Sequence, residues 1–502
     1  MQRLSIFMRW VFAFFLVSGF CSILYELIRL RLSMAQFGVT TALVSIVLST
    51  FMAGLGLGSW LSGRLIRKYG GRLSISALWL YAAMEFFIGV SALLVPHELS
   101  VGRTLFEQWG LSSSFSYYLA SGIWVALSLA PWCACMGATI PVAMLSICRV
   151  QRIDAPRSFS YLYLANVLGA VAGSVVPLLF IELYGFHTTL KIAAALNFLL
   201  AVSAFTLSLT RKALEQRAAD AQSTPIAGHS DSHNRKTLIL LFATGLTSMG
   251  MEVAWIRLFT PYLGTMVYAF AAILCTYLLA TFLGSALYRR WSRDSRTVPV
   301  LIWSLLGLSA LLPVITARAG LSLHGSLRVV FGLMPFSGIL GFVTPMLVDR
   351  WSDGDPDRAG RAYAINVVGC ILGPLLSGFF LLPWIGERWG LAALAMPWFL
   401  LSLFPQWLSK DAGPRRRLGP QETVALAALA AGLVVMLTSK DYAEKFATHK
   451  ILRDSTATVI ATGEGAQRQL LVNGVGITYL TPITKMMAHL PLAFCLGLLI
   501  TR

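Results

Sequence analysis

The sequence predicts an all-α polytopic membrane protein made of two parallel six-helix repeats, one extra helix and a short carboxy-terminal β-hairpin segment. Hydrophobic residues make up 57% of the 502 residues and charged residues 12%, a balance that a water-soluble core of this size does not need. Apolar windows long enough to cross a bilayer recur along the chain. A block near the start, with charged residues inside it, is repeated about 226 residues later.

The apolar windows are about 17 to 25 residues long, the length that a helix needs to cross the hydrocarbon core. They fall at 10–32, 39–61, 73–95, 116–148, 158–183, 188–210, 237–259, 266–288, 299–319, 326–348, 362–385 and 390–408, with a weaker thirteenth at 422–438. The window 116–148 is over-long and carries Pro131 and Pro141, which predicts a kinked or broken helix. The first window continues into Glu26 with no small-residue cleavage site, so we expect a retained helix and not a signal peptide.

The repeat is visible residue by residue. Ser18-Gly19, Glu26, Arg31, Gly38, Gly58-Ser59 and Arg64 recur without a gap as Thr244-Gly245, Glu252, Arg257, Gly264, Gly284-Ser285 and Arg290. Further on, Gly137, Pro141, Asn166, Gly169 and Gly173 recur as Gly341, Pro345, Asn366, Gly369 and Gly373, at an offset that falls to 200. A duplication of this length predicts two folding units that point the same way across the membrane.

These boundaries divide the chain into six parts. They are a first six-helix repeat at 1–210, a polar and mobile linker at 211–236, a second repeat at 237–409, a basic loop with the weak thirteenth helix at 410–440, the β-hairpin segment at 441–494 and a tail at 495–502. The linker is poor in large apolar residues, which is why we expect it to be mobile.

Basic residues are distributed unequally between the two sides of the predicted membrane. If the amino terminus is cytoplasmic, 25 Lys and Arg residues lie on that side and 8 near the span ends on the other, which favours this orientation. The net charge of +18 is then mainly a topology signal and an attraction to anionic lipids in the bilayer. Nucleic-acid binding is not indicated, because no basic stripe is interleaved with exposed aromatic residues.

Charged and amide side chains inside the spans are the candidate polar site, because each is costly in lipid unless it is paired or hydrated. The candidates are Glu26, Arg29, Arg31, Glu85, Glu252, Arg257, Asn166 and Asn366. Glu26 and Arg29 are three residues apart and are expected to share a helix face, with Glu252 and Arg257 as their repeated counterpart. The acids and bases either line a path for a solute or protons or hold the halves in register. The two asparagines are expected to bond a neighbouring helix backbone at a close crossing.

The seven cysteines mostly lie in or beside apolar helices, where thiols pack as small hydrophobic groups. Their spacing predicts neither a disulfide framework nor a metal site. No catalytic residue, cofactor or metal ligand is indicated.

The segment Gly63-Arg64-Leu65-Ile66-Arg67-Lys68-Tyr69-Gly70-Gly71-Arg72 resembles the loop that follows the second helix in the major facilitator superfamily. Arg67 stands where that family has an acidic residue, so the charge relay proposed for the family is not carried over. The alternative is a glycine-rich turn with arginines that set the topology.

From about residue 441, alternating apolar residues and turn signals predict short antiparallel strands. Thr456–Ile460 and Gln469–Val472 are strand candidates, Gly463-Glu464-Gly465 and Asn473-Gly474 are tight turns, and helix signals follow at Ile483–Phe494.

Leu471-Val472-Asn473-Gly474 and the later Lys485-Met486-Met487-Ala488-His489-Leu490-Pro491-Leu492 resemble the entrance of the spermidine synthase (polyamine aminopropyltransferase) family. SGFCSILYELIRLRL, FMAGLGLGSWLSGRL, MGATIP and YLANVLGAVAGS resemble bacterial fused proteins in which a facilitator-like membrane domain precedes such a synthase. The resemblance implies a bacterial inner (plasma) membrane protein.

The chain departs from the synthase pattern in ways that matter for activity. Asn473 replaces an aspartate, Lys485 replaces a glutamate, and the glycine-rich nucleotide turn and acidic residues that should follow are absent before Arg502. We therefore expect a membrane-bound spermidine synthase-like protein, truncated and inactive alone, whose missing synthase domain is supplied by a partner chain if at all. The alternative is a facilitator-like secondary transporter of a small, polyamine-related solute.

Overall fold

The computed structural model describes residues 2–69, 76–109, 113–151, 158–219, 235–291, 300–318, 320–352, 356–404, 420–465, 468–479, 481–487 and 489–490. Most of the 211–236 linker, the loop after Tyr69, residues 410–419 and the 495–502 tail lie outside these ranges.

The described residues form twelve α-helices and four β-strands. The helices are α1 Gln2–Phe37, α2 Thr41–Tyr69, α3 Ala77–Trp109, α4 Ser114–Gln151, α5 Ser158–Ala219, α6 Arg235–Leu263, α7 Met266–Trp291, α8 Val300–Thr316, α9 Gly325–Ser352, α10 Pro356–Leu376, α11 Leu382–Leu403 and α12 Pro420–Thr438. A π-helical turn, Ser377–Leu381, joins α10 to α11. The strands are β1 His449–Arg453, β2 Thr458–Thr462, β3 Gln469–Val472 and β4 Val475–Tyr479.

Nine helical stretches within the described ranges are long and apolar enough to cross a membrane. Two of them, of 49 and 44 residues, are interrupted at Gly185 and Gly386, each with φ 75°. A positive φ suits glycine, which has no Cβ to clash with the backbone. Gly173 and Asn197, twelve residues before and after Gly185, both contact α1, so the chain reverses at the glycine and crosses twice.

With two crossings from each interrupted helix, and the shorter apolar helices Leu301–Thr316 and Glu422–Thr438, the structure contains the twelve predicted spans and the thirteenth. The all-α polytopic fold class with a small carboxy-terminal sheet is therefore confirmed. Of the kinked or broken helix predicted at 116–148, the break is wrong, because α4 runs through Pro131 and Pro141 as one helix. Neighbouring helices support the backbone where the prolines remove hydrogen bonds.

Helix contacts repeat in the two halves. In the first half α1 packs on α5 and α2 on α4, and in the second half α6 packs on α10 and α7 on α9. The halves meet where α2 packs on α10 and where α5 packs on α7. Since the repeat relates α2 to α7 and α5 to α10, these two contacts exchange under a pseudo-two-fold axis, as expected for parallel repeats.

The repeated glycines lie at the closest helix crossings. A Cβ on Gly19 would collide with the backbone carbonyl oxygen of Asn166, and a Cβ on Gly245 would collide with that of Asn366. Small residues let two membrane helices approach closely enough to pack without a hydrophobic driving force. The duplicated glycines and asparagines are thus two copies of one crossing, α1 on α5 and α6 on α10.

The carboxy-terminal strands form one antiparallel sheet in the order β1-β2-β3-β4. Asn473 and Gly474, with φ 50° and 77°, turn the chain between β3 and β4, as the Asn-Gly signal predicted. The strand β1 was not predicted. Residues 483–487 and 489–490 of the predicted 483–494 helix are helical, and residues 488 and 491–494 lie outside the described ranges.

The sheet lies at the end of the bundle where α1 ends and α2 begins, which we call the far face. There the α2 amide nitrogens of Thr41 and Ala42 donate to the carbonyl oxygens of Thr456 and Ser455, each at 3.0 Å. The end where α1 and α6 begin we call the near face. The helix α12 runs from the near face to the sheet and packs against α8 and α11, so the thirteenth apolar segment crosses the bundle.

Candidate functional site between the two halves

Two repeat-related carboxylates, one from each half, lie close enough to interact electrostatically. Glu26 on α1 and Glu252 on α6 occupy the same position in the repeat, are 3% and 4% exposed, and lie within electrostatic range of one another. In the part of the chain that the structure describes, no basic side chain forms an ion pair with either of them. The Oε1 atom of Glu252 is buried without a hydrogen-bond partner among these residues.

Polar groups from three other helices lie near this carboxylate pair. Cys133 of α4 lies within electrostatic range of Glu26, whereas Cys370 of α10 and Tyr277 of α7 lie within range of Glu252. The hydroxyls of Tyr277 and Ser248 are hydrogen bonded at 2.8 Å. The centre of the bundle is therefore lined by acids, thiols and hydroxyls from both halves.

Two repeat-related tyrosines lie close to each other, on the near-face side of the Glu26–Glu252 pair. Tyr163 and Tyr363 hold equivalent positions in the repeat and lie within electrostatic range of each other and of Cys370. Tyr163 and Tyr363 also line a small cavity with Ser285, Arg289 and Asp349. Sequence inspection missed these tyrosines, although the repeat itself carries them three residues before Asn166 and Asn366.

Glu85 lies in a different environment from the axial acids. Its carboxylate accepts hydrogen bonds from Ser18 Oγ at 2.8 Å and from Asn197 Nδ2 at 2.6 Å, while Tyr25 donates to Asn197 Oδ1 at 2.7 Å. This buried network joins α1, α3 and α5 within the first half. Hydrogen-bonded burial of this kind fixes helix positions, and sequence inspection did not find Asn197.

Arg29 does not pair with Glu26. Its buried guanidinium donates to Ser91 Oγ and to Cys133 Sγ, the latter at 3.9 Å, and lies 5.0 Å from the centre of the Tyr25 ring. Although the two residues are three apart, Arg29 is directed into the first half and Glu26 towards the axis. Three-residue spacing on one helix therefore does not make Glu26 and Arg29 an ion pair, because tertiary neighbours on α3 and α4 decide where the guanidinium lies.

Arg257 does not pair with Glu252 either. Its Nε lies 3.0 Å from Oε1 of Glu387, which follows the turn at Gly386 on α11. Five residues on a helix place Glu252 and Arg257 on different faces. The only sequence signal for the true partner is an acid next to a glycine inside an apolar window.

The remaining candidates contact residues other than the two axial carboxylates. Arg31 is stacked on the ring of Phe186 near the far face, with its guanidinium carbon 4.4 Å from the ring centre. Asn366 Nδ2 donates to the carbonyl oxygen of Leu241 at 2.9 Å, and Asn166 packs under Gly19. Both asparagines lie at helix crossings.

The described residues contain no group of three or more His, Cys, Asp or Glu side chains that could hold a metal ion.

No family model matches this chain. The solved structure of the nucleoside transporter NupG superposes with a TM-score of 0.50 at 15% identity and covers 86% of this chain and 100% of its own. The human organic anion transporter MFSD10 superposes with a TM-score of 0.51 at 16% identity and covers 78% of this chain and 98% of its own. The chain is a multi-pass membrane protein with the same fold as these two transporters.

One curated protein is similar in sequence. Polyamine aminopropyltransferase 2 of Streptomyces coelicolor is 28% identical over 206 residues, which is 40% of this chain and 34% of that protein. The chain therefore matches about a third of the length of this relative.

Proposed function

We propose that this protein is a secondary transporter that carries a small cationic solute between its two halves. The observation that carries the proposal is the axial pair, Glu26 and Glu252, buried and without a basic partner among the described residues. An ionisable residue inside a membrane span marks a solute or proton path unless it is neutralised by the protein.

Charge balance favours a cation. Two neighbouring carboxylates out of water repel each other and each loses its hydration, so the pair needs a proton or a positively charged ligand. The buried guanidiniums of Arg29 and Arg257 are held by other partners, which leaves the axis acidic. A protonated amine matches this site in charge and can donate to the hydroxyls around it.

The sequence similarity to a polyamine aminopropyltransferase favours polyamines among the cationic amines. We further propose that the protein lies in a bacterial inner membrane with a cytoplasmic amino terminus and basic loops that face anionic lipids. The far face and its sheet are then outside the cytoplasm. Protease protection of a tag inserted at the exposed strand β4 tests this orientation.

The transport proposal is tested by uptake of labelled putrescine and spermidine into proteoliposomes. Replacing one axial carboxylate by an amide, in Glu26→Gln or Glu252→Gln, removes one charge of the pair. We expect uptake to fall by about tenfold or more, because a hydrogen bond to a charged group contributes about 1.5–3 kcal/mol. The matched control is Glu107→Gln, which changes an exposed acid on α3. Unchanged uptake in both axial variants would refute the proposal.

The second candidate function is a membrane-bound component of an aminopropyltransferase. It is favoured by the partial similarity to such an enzyme and by the sheet, whose β3–β4 turn carries the Asn-Gly of the synthase-like entrance. A partner chain or synthase domain would then supply the nucleotide site. Release of methylthioadenosine is measured for the purified chain with and without candidate partners. Activity only in a complex would favour this function over transport.

A further inference from the structure

We propose that residues Asp454–Thr458, which form the turn after β1 and the first residue of β2, are a clamp that holds the two halves together at the far face. The turn must release one half before the far face can open. This inference rests on the proposed transport function for its role, but the closure itself can be measured without transport.

The clamp binds the first half through main-chain and side-chain hydrogen bonds. The amide nitrogens of Thr41 and Ala42 at the start of α2 donate to Thr456 O and Ser455 O at 3.0 Å. These are among the first amides of a helix, which have no partner within the helix. The hydroxyls of Tyr118 on α4 and Thr456 are hydrogen bonded at 3.1 Å.

The clamp binds the second half through Arg257 and Glu387. The guanidinium of Arg257 donates to Thr458 Oγ1 at 2.5 Å and to Asp454 O at 3.4 Å. The hydroxyl of Thr458 in turn donates to Glu387 Oε1 at 3.0 Å. One five-residue turn therefore contacts α2 and α4 of the first half and α6 and α11 of the second.

The turn is itself held in one conformation. The Asp454 carboxylate accepts from the amides of Thr456 at 2.8 Å and Ala457 at 2.9 Å. The side chain of Asn473 accepts from the Thr458 amide at 2.9 Å. A turn fixed at both ends transmits force between the elements that it joins and does not stretch as they separate.

The pseudo-symmetry shows why a clamp is needed on this side. At the α5–α7 contact, the Tyr268 hydroxyl donates directly to Glu182 Oε1 at 2.6 Å, so the halves are bonded to each other. On the α2–α11 side, the repeat gives Ala42 as the equivalent of Tyr268. When the helix reversals at Gly185 and Gly386 are aligned, Pro383 is the equivalent of Glu182. Neither has a polar side chain, and there the amide of Ala42 bonds to the clamp. The sheet thus replaces a contact that the duplication lacks.

The clamp is tested by thiol labelling in proteoliposomes with the far face outward. In a chain that keeps only Cys370, close to Glu252, a membrane-impermeant maleimide reports access from the far face to the axis. Tyr118→Phe with Thr458→Val removes the side-chain hydrogen bonds to both halves. We expect labelling to speed up by about tenfold, since each lost bond shifts the closed–open equilibrium several-fold. The matched control, Thr478→Val on the exposed strand β4, is expected to label at the parent rate.

A disulfide between the clamp and α2 provides the opposite perturbation, because it prevents the clamp from releasing the first half. Cysteines at Ala42 and Ser455, whose backbones are hydrogen bonded, are within disulfide reach. Oxidation is expected to suppress labelling of Cys370 and reduction to restore it. Equal labelling of the clamp variant and its parent, or of the locked and reduced chain, would overturn the clamp. If labelling responds but no solute is taken up by any variant, the clamp stands and the transport function falls.

Discussion

The guanidinium of Arg257 on α6 lies 3.0 Å from the carboxylate of Glu387 on α11. Both side chains also hydrogen bond to Thr458, which links this ion pair to the carboxy-terminal sheet. Arg453 of β1 lies 3.9 Å from the same carboxylate and 3.5 Å from Asp441. The extramembrane sheet is therefore anchored to the second half by alternating charges. Four predictions follow from contacts of this kind.

The first concerns the Arg257–Glu387 ion pair. Glu387→Gln removes the ion-pair partner of the Arg257 guanidinium, whose side chain is 1% exposed. Breaking a buried pair from one side costs about 3–5 kcal/mol, so we expect a clear fall in thermal stability in detergent. The matched control is Glu107→Gln, which breaks an exposed pair with Arg103 and should cost less than about 1 kcal/mol. Equal melting temperatures of both variants would contradict the prediction.

The second concerns pH and Asp441, which lies outside the spans. Burial and the nearby Glu387 charge raise the pKa of Asp441 above its ordinary value of 3.8, against the opposing effect of Arg453. The folded state thus disfavours the ionised carboxylate. Asp441 makes its full contribution to the free energy of unfolding below pH 3.8, and this contribution is lost as the pH rises through the raised pKa.

Asp441→Asn removes this titration. We expect the variant to melt at a higher temperature than the parent near neutral pH, with the difference shrinking towards about pH 4. Melting curves of both proteins across this range measure it. A variant that is less stable at neutral pH would show that the ion pair with Arg453 outweighs the cost of burial.

The third concerns the repeated helix crossing. Gly245→Ala places a methyl group against the backbone of Asn366, whereas Gly63→Ala on α2 meets no atom within 4 Å. The first variant must push α6 away from α10, and overpacking of this kind costs about 1–3 kcal/mol. The second is expected to be neutral or slightly stabilising, because alanine favours helix more than glycine does. Similar thermal stabilities would mean that the crossing is not close.

The fourth concerns the buried network around Glu85. Asn197→Ala removes the 2.6 Å hydrogen bond to Glu85 and the acceptor of the Tyr25 hydroxyl. Two buried polar groups then lose partners, at about 1–3 kcal/mol each. The comparison variant, Asn366→Ala, removes a part-buried amide of the second half that has no carboxylate partner. Thermal unfolding of the two variants should rank Asn197→Ala as the more damaging.

Much of the membrane architecture could be predicted from sequence because its signals are local or repeated. Span length, the offset between Glu26 and Glu252, and the Asn473-Gly474 turn all depend on residues that can be compared along one chain. The reversals at Gly185 and Gly386 are also local signals, because they fall in the gaps between the apolar windows 158–183 and 188–210 and between 362–385 and 390–408.

The pairing of charged side chains could not be predicted in the same way. Spacing along one helix suggested Glu26 with Arg29, yet Arg29 bonds to Ser91 on another helix. Arg257 finds Glu387, 130 residues away, and Thr458 beyond it. Such partners are set by how helices and the sheet meet in three dimensions, for which a single sequence has no periodic signal.

The thirteenth crossing, α12, determines the order in which this protein is assembled. Because synthesis proceeds from the amino terminus and domains fold as they emerge, both halves are made before α12 brings the strands to the far face. The strands pair on a surface that already exists, guided by the exposed helix starts at Thr41 and Ala42. A newly made chain therefore has an interval in which the far face is uncovered, and this interval ends when the four strands have been made and have paired.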